Sequence, residues 1–282
     1  MAFMTAFIRA FRQTTKRSRY GLAAGLGLFI GLLIVSGVAV LTQPRWLFSV
    51  ATRIMPGALY SVTLPEDAPP TIALTIDDGP SSATADILAV LARYDAKATF
   101  FNISDRLPGH EETIIQSLAA GHELGNHLTA DEPSIRLSPV DFERSLLTAQ
   151  AVWTPYLHQT APKHPSQPAT LRWLRPGMGF YNSAMVNTAK RHGYQLVLGS
   201  VFPYDTHVPS VQFANAFILR NVNPGDIIVL HDGEALDPPQ QISRGQRTVI
   251  TLEKILPVLK ARGYKITTVS ELLSAAEASL SF

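Results

Sequence analysis

The segment TIALTIDDGP, residues 71–80, decides the fold class of this chain. Its first six residues are apolar or β-branched and predict a buried strand, and two adjacent carboxylates, Asp77 and Asp78, follow. Gly79 and Pro80 then end the strand. Adjacent aspartates repel each other and are poor strand formers, so their position calls for partners elsewhere in the chain.

The residues after this segment have the pattern of an α/β domain. Short β-rich runs such as KATFFNI (97–103) and DIIVLHD (226–232) alternate with helical patterns such as EETIIQSLAAG (111–121). This alternation predicts about seven parallel strands with crossover helices, in a sheet that is open or closed into a barrel. In such domains the active site lies at the carboxyl ends of the strands.

One stretch interrupts the alternation. Residues 154–168, TPYLHQTAPKHPSQP, are rich in proline and are predicted to form a loop. His158 and His164 lie in this stretch, and we expect both to be solvated.

Composition limits the function further. The chain has 282 residues, of which 46% are hydrophobic and 16% charged, enough for one large α/β domain with extensions. It contains no cysteine, so any bound metal must be held by His, Asp or Glu. Seven basic residues precede Glu66, the first acidic residue, and removing them from the net charge of +2 leaves −5. A mildly acidic domain gives no electrostatic argument for a nucleic-acid partner.

The N-terminal region has the pattern of a membrane anchor. Gly21–Leu41 is uncharged and about long enough to cross a bilayer core of roughly 30 Å as a helix. The basic residues of Arg9–Arg19 predict a cytoplasmic N-terminus, with everything after residue 44 on the outer face. Two alternatives remain, a cleaved signal peptide with secretion and a buried core helix.

The predicted organisation therefore has five parts. They are a basic cytoplasmic tail (1–19), a transmembrane signal anchor (20–42), a stalk (43–70), the α/β domain (71–275) and a short tail (276–282).

Polar side chains follow several of the predicted strands. They are Asp77, Asp78, His127, Arg175, Asp205, His231 and Asp232. Neighbouring carboxylates such as Asp77 and Asp78 cannot easily flank a glycosidic bond from opposite sides, as a glycosidase requires. It is more natural that one of the two aspartates binds a metal ion and the other acts as a general base. The alternative without chemistry is that one aspartate caps the following helix and the other is solvated.

A metal site is indicated by GHELGNHLTAD, residues 121–131. His127 and Asp131 are four residues apart, a spacing at which a helical turn or compact loop can present two ligand atoms to one ion. Together with Asp78 they would supply one nitrogen and two carboxylate ligands. A histidine followed by an aspartate is weak evidence by itself.

Four motifs occur in a specific order: TIDDGP, GHELGNH, LRPGMGFYN and IVLHD. Over residues 71–273 this ordered set resembles the NodB-type polysaccharide deacetylases, carbohydrate esterase family 4. The resemblance implies a distorted (β/α) barrel and metal-dependent hydrolysis of an N- or O-acetyl group on a polysaccharide. It says nothing about residues 1–60.

The resemblance also implies roles for individual residues. Asp77 matches the family's catalytic base, Arg175 the arginine that pairs with it, and His231 the catalytic acid. The implied metal ligands are Asp78 and His127, with Asp131 where most members have histidine. The remaining implied residues are Leu230, Met178 and Tyr181 for substrate binding, with Leu230 lining the acetyl pocket, and Asp205 for tuning His231.

Three departures from the family pattern are visible. Asp131 replaces the usual histidine, and a carboxylate moves the preference of the site toward harder ions. Zinc nevertheless remains the first expectation, with manganese, cobalt and nickel as alternatives. The usual RPPYG is here RPGMG, with Gly177 and Met178 replacing Pro and Tyr. The expected aspartate-tryptophan motif is missing, and SVFPYDTH (200–207) stands in its place.

The expected function is removal of acetyl groups, chiefly N-acetyl, from a cell-envelope or extracellular polysaccharide. One alternative is a catalytically impaired carbohydrate-binding or scaffold protein on the same fold. Another is an amidase or esterase that acts on a non-carbohydrate acyl group. The sequence identifies neither the sugar nor the oligomeric state.

Overall fold

The computed structural model describes residues 26, 28–33, 35–39, 42–160, 170–233 and 242–277. The chain divides into two compact units, residues 1–47 and 48–282. The predicted basic tail (1–19) and residues 278–282 of the predicted C-terminal tail lie outside the described residues.

In the first unit, the described residues between 26 and 42 are helical. Part of the predicted span Gly21–Leu41 lies outside the described residues, namely 21–25, 27, 34, 40 and 41. Within the part of the chain that is described, no helix is both long enough and apolar enough to cross a membrane.

Helices and strands alternate along the second unit, as the apolar pattern predicts. The strands are β1 (Ala58–Leu59), β2 (Thr71–Gly79), β3 (Thr99–Asn102), β4 (Glu123–Asn126), β5 (Trp173–Leu174), β6 (Gln195–Val197), β7 (Ile227–His231) and β8 (Lys265–Thr267). Helix α1 (Arg45–Ile54) contains the boundary between the two units. The helices that follow it are α2 (Thr84–Arg93), α3 (Glu111–Ala119), α4 (Pro139–Thr160), α5 (Ser183–Arg191), α6 (Val211–Asn221), α7 (Arg244–Ala261) and α8 (Val269–Glu277). Short 3-10 turns occur at Ser104–Arg106, Ser134–Arg136 and Gly177–Gly179.

The strands form one parallel sheet. Seven of them follow the order β1-β6-β5-β4-β3-β2-β7, and β8 pairs with the first residues of β2. Isolated bridges Ser61–Asp226 and Val201–Ile228 connect the β1–β6 end of the sheet to the β7 end. The parallel α/β barrel predicted from the sequence is confirmed as a partial, distorted barrel.

Alternation along β2 separates its two faces. Ile72, Leu74 and Ile76 pack in an outer core with helices α2, α6 and α7, whereas Ala73 belongs to the small core inside the barrel. Since strand side chains alternate, Asp77 falls on the inner face with Ala73 and reaches the carboxyl end of the barrel.

The prediction of a loop over residues 154–168 is wrong for its first half. Helix α4 continues to Thr160 despite Pro155, because Trp153, Leu157 and Thr160 extend its buried face into the core. His158 is therefore an exposed residue of a helix, and His164 lies in 161–169, outside the described residues.

Candidate functional site

The end of β2 brings both aspartates to one side of the sheet. The register with β3 shifts between Asp77 and Gly79, and Asp78 has a left-handed φ of 64°. Aspartate tolerates this conformation better than most residues because its short side chain can hydrogen-bond locally. The bulge cancels the strand alternation, so Asp77 and Asp78 both line one cavity.

This cavity, of about 580 Å³, lies at the carboxyl ends of the strands. Seven of the ten residues predicted for the site line it: Asp77, Asp78, His127, Asp131, Arg175, Met178 and His231. One wall is largely apolar and is formed by Met178, Phe180, Leu198, Phe202, Tyr204 and Val229. A cleft that combines an apolar wall with convergent polar groups is typical of small-molecule sites.

Arg175 is buried behind Asp77. Its Nη1 donates to Asp77 Oδ1 at 2.6 Å and to Thr75 Oγ1 at 2.7 Å, while Nε donates to the Val197 carbonyl at 2.9 Å. The guanidinium also lies 4.2 Å from the centre of the Phe101 ring. These contacts fix Asp77 through Oδ1 and leave Oδ2 directed toward His231.

His231, the last residue of β7, is held by Asp205. Its Nδ1 lies 2.9 Å from Asp205 Oδ1, and its backbone N–H donates to Oδ2 at 3.0 Å. Burial alone would lower the pKa of His231, but the charge and hydrogen bond of Asp205, with the charges of Asp78 and Asp77, raise it to about 9. His231 is therefore an imidazolium at neutral pH, with Nε2 located 3.9 Å from Asp77 Oδ2.

Asp78 and His127 form a second pair. His127 Nε2 lies 3.2 Å from Asp78 Oδ1, and Nδ1 donates to the Arg175 carbonyl at 2.6 Å. Burial would raise the pKa of Asp78, but the hydrogen bond from His127 and the charges of His231, His127 and Arg244 hold it well below its ordinary value. For the histidine the signs are opposite. Burial would lower the pKa of His127, but its hydrogen bond to Asp78 and the charges of Asp77 and Asp78 raise it.

The geometry of this pair fits two ligands of one metal ion. Oxygen and nitrogen ligands of a tetrahedral zinc ion lie about 3.3 Å apart, close to the observed separation. The bond from Nδ1 to a carbonyl fixes the ring with Nε2 facing Asp78, which is the usual orientation of a metal-binding histidine. A metal ion would replace the proton shared by Asp78 and His127.

Asp131 does not join this pair. Its Oδ2 accepts a hydrogen bond from Arg106 Nη2 at 3.0 Å, and Arg106 Nη1 donates to the backbone carbonyl of Asp78. Among the described residues, no three His, Asp or Glu side chains are grouped closely enough to hold a metal ion. Of the predicted ligands, Asp78 and His127 are thus paired with each other, whereas Asp131 lines the same cavity and is engaged by Arg106. The ligand set Asp78, His127 and Asp131 stays a prediction.

Two substrate-binding assignments also need correction. Leu230 is 1% exposed and packs in the outer core, because alternation along β7 turns Val229 and His231, not Leu230, toward the cavity. Tyr181 is 5% exposed and its hydroxyl donates to the Met55 carbonyl at 2.6 Å, away from the cavity. Met178, in contrast, lines the cavity and is 53% exposed.

The RPGMG departure has a local cause. A Cβ at Gly177 would overlap the Glu132 carbonyl, and the Gly177 N–H donates to Ser134 Oγ at 2.6 Å. Proline at this position would add side-chain atoms and remove the donor. The segment after Arg175 is therefore fitted to the loop that carries Asp131.

Several cavity residues were missed from the sequence. Phe180, Phe202 and Tyr204 lie inside stretches already singled out, and their aromatic character beside charged groups was an available signal. No motif marked Arg244, which lines the cavity, or Arg106, which contacts the cavity residue Asp131. Arg244, at the start of α7, donates to Asp78 Oδ2 at 3.1 Å, and both side chains are buried.

Known proteins resemble this chain over the same region. Residues 65–197 match the family model described as polysaccharide deacetylase. The peptidoglycan-N-acetylglucosamine deacetylase of Bacillus cereus is 36% identical over 205 residues, 72% of this chain and 87% of that protein. A chitooligosaccharide deacetylase of Bradyrhizobium sp. is 31% identical over 207 residues, 72% of this chain and 90% of that protein.

Among solved structures, the fold is similar to that of a family 4 acetyl xylan esterase from Clostridium thermocellum in complex with a cobalt ion. The TM-score is 0.61 at 28% identity, and the match covers 72% of this chain and 90% of the esterase chain.

Proposed function

The chain belongs to the polysaccharide deacetylase family, and from that premise we propose that it is a metal-dependent hydrolase of polysaccharide acetyl groups. We propose N-acetyl groups of a cell-envelope or extracellular polysaccharide as the main substrate. The observation that carries this proposal is the meeting of Asp77, Asp78, His127, Arg175 and His231 in one cavity. A base, an acid and a pair of metal-binding groups are the parts that amide hydrolysis needs.

Asp78 and His127 would hold the metal ion, with Asp131 from the same cavity as the proposed third ligand. We propose zinc first, with manganese, cobalt or nickel as alternatives. When bound, such an ion supplies Lewis-acid polarisation of water and of the acetyl carbonyl. Arg244 supports this arrangement, since it occupies Asp78 Oδ2 and leaves Oδ1 facing His127.

Asp77 is the proposed general base. Arg175 occupies its Oδ1, so Oδ2 is the oxygen that accepts a proton from the attacking water. His231 is the proposed general acid. Its Nε2 gives a proton to the departing amine nitrogen as the carbon–nitrogen bond breaks, while Asp205 keeps the ring charged and oriented through Nδ1.

The apolar wall is the proposed substrate-binding surface. Val229 lies on the same face of β7 as His231 and is suited to pack against the acetyl methyl group. Met178, Phe180 and Phe202 offer apolar surface to the faces of sugar rings.

We further propose that the hydrolase is held at a membrane, with its domain on the outer face and its N-terminus in the cytoplasm. The uncharged run Gly21–Leu41 and the basic residues of Arg9–Arg19 support this arrangement. Secretion after cleavage of a signal peptide is the alternative.

The test is acetate release by the full-length chain, purified in a mild detergent, from peptidoglycan fragments, chitooligosaccharides and acetylated xylan. We expect release to stop with a chelator and to return with zinc. His231→Gln should lower the rate about 100-fold or more without loss of the folded state, since general acid catalysis typically contributes that much. His158→Gln, at an exposed histidine of α4, is the matched control and should retain full activity.

Other outcomes separate the alternatives. Polysaccharide binding without acetate release would indicate a scaffold protein. Acetate release only from small non-sugar amides or esters would indicate an amidase or esterase.

A further inference from the structure

One face of helix α1 (Arg45–Ile54) is apolar and exposed. Trp46, Val50 and Ile54 follow one another at intervals of four residues, which places them on the same side of the helix. They are 58%, 41% and 74% exposed, and Met55, just after the helix, is 44% exposed. Apolar side chains that cluster on a surface are typical of a contact with another protein or with a membrane.

The opposite face of α1 is fixed to the α/β domain. The ring of Phe48 packs against that of Tyr60, with ring centres 5.6 Å apart. The hydroxyls of Tyr60 and Tyr181 lie 3.4 Å apart, and the Tyr181 hydroxyl donates to the Met55 carbonyl at 2.6 Å. These contacts turn Phe48 inward and give the exposed residues of α1 a fixed orientation on the domain.

The charge around α1 favours an anionic surface. Glu66 is the first acidic residue of the chain, so neither α1 nor the segment before it carries a negative side chain. Arg53 lies in the last turn of α1 and is exposed. An arginine beside an apolar face can cover apolar surface with its stem while its guanidinium reaches lipid phosphates.

The position of α1 in the chain brings this face to a bilayer. The predicted span Gly21–Leu41 ends four residues before Arg45, the first residue of α1. Four extended residues reach at most about 14 Å, and the headgroup layer on each side of a bilayer core is about 5–8 Å thick. Helix α1 therefore begins within or just outside the headgroup layer, where tryptophan is enriched in membrane proteins.

We propose that α1 lies along the outer surface of the membrane, with Trp46, Val50 and Ile54 inserted among the lipid headgroups and Arg53 paired with lipid phosphate. This inference rests on the proposed membrane anchor and adds to it a second contact, which orients the domain. Amphipathic helices of this kind bury their apolar face about 5–10 Å into the boundary between headgroups and acyl chains.

The contact places the cavity near the bilayer. Tyr181, which is bonded to the end of α1, directly follows Phe180, a residue of the apolar wall that is 64% exposed. A domain held to the membrane through α1 therefore carries this wall close to the lipid surface. The substrate is then a stretch of polysaccharide that lies next to the membrane.

Nitroxide labels on single cysteines test this contact, since the native chain contains no cysteine. The full-length chain with Val50→Cys or Ile54→Cys is labelled and reconstituted into vesicles of phosphatidylcholine and phosphatidylglycerol. Collisions with oxygen, which concentrates in the bilayer, and with a nickel chelate, which stays in water, report the depth of each label. We expect the ratio of oxygen to nickel collisions at both positions to exceed that of a water-exposed label several-fold.

Matched variants supply the controls. Val258→Cys, at an apolar residue of α7 that is 36% exposed, should give the ratio of a label in water. In the Ile54→Cys background, Arg53→Glu should move the label toward water, because the new charge repels phosphatidylglycerol, whereas Arg53→Lys should not. Thermal unfolding shows whether each variant is folded.

Three results would overturn the proposed contact. The first is a ratio at Ile54→Cys equal to that at Val258→Cys, which would place the helix in water. The second is protection of the Ile54→Cys label from both oxygen and nickel, which would show that protein covers the face. The third is dipolar broadening between labels, which would show that a second copy of the chain covers it.

Extraction of the vesicles with alkaline carbonate separates this contact from the anchor. If the chain resists extraction but the α1 labels are in water, the contact is disproved and the anchor stands. If carbonate releases a chain whose labels were immersed beforehand, the contact stands and the membrane span is disproved. A chain that binds no vesicles disproves both, and acetate release tests the hydrolase activity independently of either.

Discussion

His231 illustrates how one neighbour sets the chemistry of a residue. Burial disfavours a charged imidazole, yet the charge of Asp205 and its hydrogen bond to Nδ1, with the charges of Asp78 and Asp77, reverse that preference and raise the pKa of His231 to about 9. The raised value means that the protonated form persists across neutral pH. The charged His231 therefore stabilises the fold fully at a pH below about 6.5, the ordinary histidine pKa. This stabilisation is lost as the pH rises through about 9, the raised pKa of His231.

Asp205→Asn should therefore move the alkaline limit of activity. The proposed acid must be protonated, so wild-type activity should fall as the pH rises through about 9. Without the Asp205 charge, the pKa of His231 falls and the same loss occurs at lower pH. The measurement is the pH profile of kcat/KM for acetate release, with Asp67→Asn at an exposed stalk position as the control. An unchanged alkaline limit in Asp205→Asn would contradict the role given to this pair.

The site residues differ in how far the sequence could predict them. Asp77 and His231 follow apolar runs and His127 follows a short strand, and the carboxyl ends of parallel strands meet at one edge, so the local pattern sufficed. Leu230 was misplaced because a fully apolar strand hides which of two neighbours faces inward. Arg106 was missed because it reaches Asp131 through a long-range contact, which no local pattern records.

At the scale of elements, hydrogen bonds to Glu123 connect the amino ends of three strands with helix α8. It accepts hydrogen bonds from Thr99 Oγ1 at 2.7 Å, from Trp173 Nε1 at 2.8 Å, and from both the backbone and hydroxyl of Ser270. Thr99, Glu123 and Trp173 are the first residues of β3, β4 and β5, so this network lies at the end of the barrel opposite the cavity. Burial raises the pKa of Glu123 although these donors oppose the shift.

Glu123→Ala should destabilise the domain by about 3 kcal/mol, because several buried donors lose their acceptor. Denaturant unfolding measures this loss. Glu253→Ala is the matched control, since its ion pair with Arg93 is largely exposed and should be worth less than about 1 kcal/mol. Equal effects of the two substitutions would show that the Glu123 network contributes no more than a surface pair.

The alternation of strands and helices was predictable because it is repeated locally along the chain. The extent of α4 was not, because proline at position 155 suggested a loop while the buried positions of Trp153 and Leu157 favoured continuing the helix. Tertiary packing decided between these opposing tendencies.

At the scale of the whole molecule, the absence of cysteine makes the proposed membrane arrangement directly testable. A single cysteine is introduced as Thr14→Cys in the basic tail or as Asp67→Cys in the stalk, where the native aspartate is exposed. A membrane-impermeant maleimide should label Asp67→Cys in intact cells, since basic residues keep the tail on the cytoplasmic side. Thr14→Cys should react only after permeabilisation, and both variants should label equally in detergent. Labelling of Thr14→Cys in intact cells would reverse the proposed orientation, and a mature chain in the medium that lacks residues 1–42 would replace the anchor with a cleaved signal peptide.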